Sequence, residues 1–157
     1  MAILLGAKLD EIYSTLTAGN VPGVGELYTH TDGRVYMFVR YGTGGATANY
    51  AVSINAAGTA VMTSNSASFF GERVGVATAT AALNDYGWAL IFGAIDVQTD
   101  VATVNTRLQT TTTAGQLDDA SGTGTKQING ITLTTAKTGS AGLAPALLTW
   151  PTIGATN

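Results

Sequence analysis

The sequence contains no cysteine, which excludes a disulfide framework and thiolate metal sites and leaves the redox compartment open. Charge is almost as scarce. Only 11% of the residues are Asp, Glu, Lys or Arg, against about 25% in an average soluble domain. The basic side chains Lys8, Arg34, Arg40, Arg73, Arg107, Lys126 and Lys137 stand singly along the chain. A protein that grips a phosphate backbone gathers such groups on one face, so nucleic-acid binding is not expected. No apolar run approaches the ~20 residues needed to span a bilayer. The opening MAILLGAK lacks the basic flank and cleavage site of a secretory leader, so neither a leader nor a membrane anchor is expected.

What is present points to a packed domain with an adhesive surface. The 157 residues suit one domain, which at this size buries roughly 70% of its unfolded surface and needs no metal or disulfide to hold a core. A hydrophobic content of 45% with a net charge of −3 leaves little charge to solvate a large monomer surface. Part of that surface is expected to be covered by copies of the chain or by a larger assembly.

Along the chain, AKLDEIYSTLTAGN places Leu9, Ile12, Tyr13 and Leu16 at helical spacing, which predicts a short N-terminal helix behind an apolar arm. GELYTHTDGRVYMFVRYG reads as two strands joined at Asp32-Gly33, the dipeptide favoured in type I′ hairpins. YAVSI and TAVMT flank the turn NAAG; Arg73–Ala77 and YGWALIF follow as strands. In KQINGITL a bulge is expected at Gly130. APALLTW forms the closing strand, stopped by Pro151. Short strands punctuated by turn residues, in a chain with 26 threonines, predict an all-β fold. The expected architecture is an antiparallel β-sandwich or barrel over residues 21–157, with an arm or short helix at 1–20.

Candidate chemistry is sparse. His30 is the single histidine and lies beside Asp32, but no GxSxG elbow or cysteine marks a nucleophile for it to serve. Asp118-Asp119 are adjacent, whereas a calcium loop spaces its acids at alternate positions and closes on a bidentate acid. They are expected to bond backbone N–H groups in a turn between strands. The glycine clusters GTGG and SGTG lack a lysine in P-loop position. Glu11, Glu26 and Glu72 are the only glutamates, and none lies in a cleft-like aromatic segment. No catalytic residue, metal or cofactor is expected. Tyr28, Tyr36, Phe38 and Tyr41 crowd one hairpin, and tyrosines supply rigid, amphipathic contact area. Trp88 and Trp150 are expected in the core.

RVGVATATAALNDYGWALIFGAIDV, then LQTTTTAGQLDDASGTGTKQINGITLTTA, then ALLTWPTI together resemble the small structural head proteins of tailed bacteriophages. The likeness lies in the order of parts: a G-x-A strand, a YGW strand, a TT-x-AG-x-LDD turn, a strand carrying GI and a closing WP strand. It covers Arg73 to Ile153 and carries over no functional residue. It implies a capsid decoration (cement) protein on the outer surface of the virion, assembled in the host cytoplasm. Its implied partners are the major capsid protein and other copies of itself, as a homotrimer. On that reading the contact surface is expected at the arm, Ile3, Leu4 and Leu5, and at Tyr36, Phe38 and Tyr41. A rival reading is a glycan- or receptor-binding module of a head or tail fibre that stacks sugars on Tyr36, Phe38 or Tyr41. A third is a glycosidase using Glu26 or Glu72.

Overall fold

The computed structural model describes residues 7–16, 21–66 and 68–157. The fold is all-β. Its strands are β1 (Leu27–Thr29), β2 (Val35–Tyr41), β3 (Ala51–Ile54), β4 (Thr59–Met62), β5 (Arg73–Ala77), β6 (Tyr86–Thr99), β7 (Leu108–Thr110), β8 (Leu117–Asp118), β9 (Lys126–Leu133) and β10 (Gly142–Thr156). The β2–β4 and β6–β8 pairs are parallel, and the other named pairs are antiparallel.

The pairings close into two circuits. One runs β2–β4–β3–β5–β6 and back to β2; the other runs β6–β8–β7–β9–β10 and back to β6. The molecule is therefore a pair of small barrels that share β6. The first barrel is narrow, and its interior is built to match. Alanines 60, 77 and 89 face Val39, Tyr41, Val52 and Ile91, because a barrel of few strands has room for large residues only opposite small ones. The Tyr41 hydroxyl donates to the Trp88 carbonyl at 2.9 Å, and burial raises its pKa. The opposite faces of β2, β5 and β6, with Phe38, Val76, Trp88 and Leu90, are continuous with the interior of the second barrel at Val97, Leu117, Ile128 and Leu148.

Three strands change which of their alternate side chains face the larger core, and they do so at one level. On β6 the even positions Trp88 and Leu90 give way to Ile95 and Val97 in the same cluster. The change falls at a register shift against β2 and at Gly93, whose φ is +112°. On β10, Ala146 and Leu148 give way to Ile153 across Trp150, at φ +55°. On β9, Ile131 and Leu133 give way to Ile128 across Gly130, at φ +81°. The expected bulge at Gly130 is thus present, and β10 supplies the extra residues: Leu148 pairs Ile131 while Thr152 pairs Asn129. A Cβ on Gly130 would lie 2.9 Å from the Thr149 carbonyl oxygen.

Several expectations are corrected. Residues 8–16 form no helix; Tyr13 instead bridges Tyr86 through N–H···O bonds of 2.9 and 2.8 Å in the two directions. Tertiary packing overrides the periodic pattern. Ile12 fills the space above Gly87, where a Cβ would approach its Cδ1 to 2.6 Å, and Tyr13 meets Phe38 edge-on at 6.0 Å. The Asp32-Gly33 turn is not type I′, which needs two positive φ angles; only Gly33 has one. Gly33 N–H donates to the His30 carbonyl and His30 N–H to the Arg34 carbonyl, giving a three-residue loop with a glycine bulge. Pro151 does not stop β10, which runs on to Thr156. LDDASGTG does lie between strands, but as a crossover and not a hairpin: β8 pairs with β7, and β7 with β9, so the segment crosses over β7.

The narrow interior makes a direct prediction. Ala89 stands 3.0 Å from the position a Cβ would take on Gly75. Ala89→Leu should therefore overpack the first barrel and destabilise the domain by about 1–3 kcal/mol, seen as a lowered urea midpoint.

Candidate contact surface

The hairpin aromatics do not form a surface. Tyr36 is 2% exposed, and Phe38 and Tyr41 are fully buried. Phe38 packs among Tyr13, Tyr86 and Trp88, with ring centroids 6.0, 6.4 and 5.1 Å away, while Tyr41 lies inside the first barrel. Both faces of β2 are covered, one by the barrel interior and the other by the N-terminal segment and β6. Tyr36, Phe38 and Tyr41 are thus unavailable to a capsid subunit or a sugar. Ile3, Leu4 and Leu5 lie outside the described residues.

The exposed apolar groups stand elsewhere. Phe69 and Phe70, 65% and 81% exposed, occupy the tip of the loop before β5. That tip is held from several directions. Glu72 N–H donates to the Phe69 carbonyl at 3.1 Å, and the Glu72 carboxylate accepts from Phe69 N–H at 3.2 Å. Gly71, at φ +83°, turns the chain back so that its N–H reaches the Ile153 carbonyl on β10. The Lys126 ammonium donates to the carbonyls of Asn65 and Ser68 and lies 5.9 Å from the centre of the Phe69 ring. Two phenylalanines are thus presented on a braced turn. Beside them an open groove of about 670 Å³ is lined by Phe70, Met37, Ile54, Ala56, Arg73 and Thr152, among others. The signal in the sequence is the pair FF followed by GE, which reads as an ordinary loop until its burial is known.

A second exposed surface follows β10. Leu143, Leu147 and Trp150 are 51%, 43% and 48% exposed. Trp150, expected in the core, lies outside it because its left-handed backbone turns the side chain to the surface, where it meets the Phe92 ring at 5.9 Å.

The acids serve turns. Asp119 accepts from Thr103 N–H and Thr103 Oγ1, both at 2.8 Å, and these bonds lower its pKa. Asp118 turns instead to Ala120 N–H at 3.2 Å. The neighbouring carboxylates therefore diverge, each bonded to backbone N–H as expected. Among the described residues, no three His, Cys, Asp or Glu side chains are grouped so as to hold a metal ion. His30 Nδ1 lies 2.9 Å from an Asp32 oxygen, and the other Asp32 oxygen accepts from Arg34 Nε at 2.8 Å. Led by the bond from Arg34 N–H, these contacts hold the Asp32 pKa down to about 2.

A carboxyl whose folded-state pKa is depressed stabilises the fold above its unfolded pKa and loses that effect as pH falls through the folded value. Asp32 and Asp119 should therefore make the domain less stable from about pH 4 down toward pH 2. In the Asp32→Asn, Asp119→Asn double variant, the urea midpoint should fall less over the same interval.

No protein-family model matches the chain, and no curated protein is similar to it.

Proposed function

We propose that this protein is a capsid decoration protein, a homotrimer that binds the major capsid protein on the outer face of an icosahedral phage head. The observation that carries this reading is the braced Phe69-Phe70 tip, with both rings open to solvent and the loop tied to β9 and β10 by Lys126 and Gly71. Burying a phenylalanine is worth roughly 1.5–3 kcal/mol, and a tip already held in place gives up little conformational freedom on docking. Low charge supports the same role, since little ion hydration has to be stripped from the face that docks.

The mechanism is mechanical. An icosahedral shell under internal pressure fails where neighbouring subunits separate. A trimer that touches several subunits adds buried area that must be lost before they part, and its contacts act together through their high effective concentration.

Co-sedimentation with undecorated heads, followed by heating, tests the reading. Wild-type protein should pellet with the heads and raise their rupture temperature. The Phe69→Ser, Phe70→Ser variant should keep its fold and bind at least about tenfold more weakly. Protein left in the supernatant, or heads that rupture no later than bare ones, would refute it.

A further inference from the structure

The kinks in β6, β9 and β10 need left-handed backbone, and glycine meets that need at Gly93 and Gly130. At the third position the chain places tryptophan, at φ +55°, where an L side chain is disfavoured and a β-bulge would form more readily with glycine. The ring is not there to fill the core, since 48% of Trp150 is exposed. Strain kept at a surface residue is a pointer to a site.

The surroundings of that ring have the parts of a small-ligand site. Phe92 lies 5.9 Å from Trp150, its ring tilted by 35°. Phe92 in turn lines an open groove of about 460 Å³ with Asp32, Gly33, Arg34, Gly93 and Ala94. Gly93 makes room for the wall of this groove: a Cβ there would stand 2.6 Å from Arg34 Cγ. The Asp32 carboxylate and Arg34 guanidinium are locked together at 2.8 Å, and both side chains keep more than a third of their surface exposed. The groove therefore offers an aromatic wall, fixed acceptor oxygens and further N–H donors close together.

We infer that Trp150, Phe92 and the Asp32–Arg34 pair form a binding site for neutral hexose units of an oligosaccharide. A pyranose ring presents a face of C–H groups to an aromatic ring and adjacent hydroxyls at its edge, which both donate to a carboxylate and accept from a guanidinium. The Arg34 guanidinium and His30 Nδ1 are both turned to the Asp32 carboxylate, at 2.8 and 2.9 Å, so neither is left free to meet a uronate or sialate, and the ligand is uncharged. Its size also suits a sugar better than a second protein. The groove is lined by few residues, whereas a stable protein interface covers about 800 Å² and draws on roughly 20–30 residues of each partner.

Trp88 is buried and Trp150 exposed, so changes in solvent quenching of fluorescence report on Trp150. The full-length protein is titrated with cello-, manno- and galacto-hexaose, and with an oligogalacturonate as the anionic counterpart. At least one neutral hexaose should blue-shift the emission saturably and protect it from acrylamide. By saturation-transfer NMR, Asp32→Asn should weaken that binding about five- to tenfold. Trp150→Gly should abolish it while the melting temperature holds or rises, because glycine relieves the left-handed backbone; a purely structural tryptophan would instead lower the melting temperature. The Phe69→Ser, Phe70→Ser variant should bind the sugar normally, which separates this site from the head-binding surface. The inference is overturned if no neutral hexaose binds, if only the oligogalacturonate binds, if Trp150→Gly still binds, or if Trp150 is already shielded from acrylamide on decorated heads.

Discussion

Sharing β6 between two barrels is the constraint on which the molecule turns. A regular strand sends alternate side chains to opposite faces without end, and β6 supplies the larger core from Trp88 and Leu90 before Gly93 and from Ile95 and Val97 after it, so it must break that alternation. Here the break falls at Gly93 on β6, Gly130 on β9 and Trp150 on β10, and the pairings of these strands bring the three breaks together. Everything on either side inherits its facing from that level. Val97 and Leu148 reach the second interior, and Ala89 and Ile91 stay in the first. Either long strand without its kink would direct its apolar residues to solvent beyond that point.

The same economy explains how a chain with so little charge satisfies its polar groups. Threonine hydroxyls carry much of the work at loops and crossovers. Thr103 and Thr106 close around Asp119, and Thr125 donates to Gln109 while accepting from Asn157 beneath the crossing from β8 to β9. Thr78 donates to the Leu9 and Trp88 carbonyls and so helps seat the N-terminal segment. A hydroxyl so placed satisfies a buried carbonyl or N–H without the desolvation cost of a charge. The surface this leaves is weakly charged, and its apolar groups sit on braced backbone.

Local chemistry was readable where the outcome depends on local chemistry. The strand Arg73–Ala77, the hairpin across Asn55–Gly58 and the bulge at Gly130 all follow from β-branched runs and turn residues, and all are present. What the sequence hides is what covers each face. Alternation in VYMFVRY says that β2 has two sides; it does not say that Tyr13 and Tyr86 close over one of them. For that reason Tyr36, Phe38 and Tyr41 read as a surface and are core. Leu9, Ile12 and Tyr13 have helical spacing, yet a bridge to Tyr86 and the gap above Gly87 hold them extended. Trp150 errs in the opposite direction, and Phe69-Phe70, in a segment that reads as an ordinary loop, carry no sign of their exposure. Large aromatics are core by default, and only the turn at Gly71 and the left-handed backbone at Trp150 send them outward.

The two exposed aromatic sites therefore differ in kind. At Phe69-Phe70 the turn needs its left-handed residue at Gly71, where glycine supplies it, so the phenylalanines add exposed apolar area without backbone strain. At Trp150 the strained residue is itself the exposed ring, at a backbone cost of order 1–2 kcal/mol. Glycine there would meet the needs of the bulge, and contact with Phe92 recovers only part of the difference, since half the indole remains in water. Stability alone would favour the smaller residue at that corner. A tryptophan placed against that gradient is accounted for by something the ring touches outside its own chain.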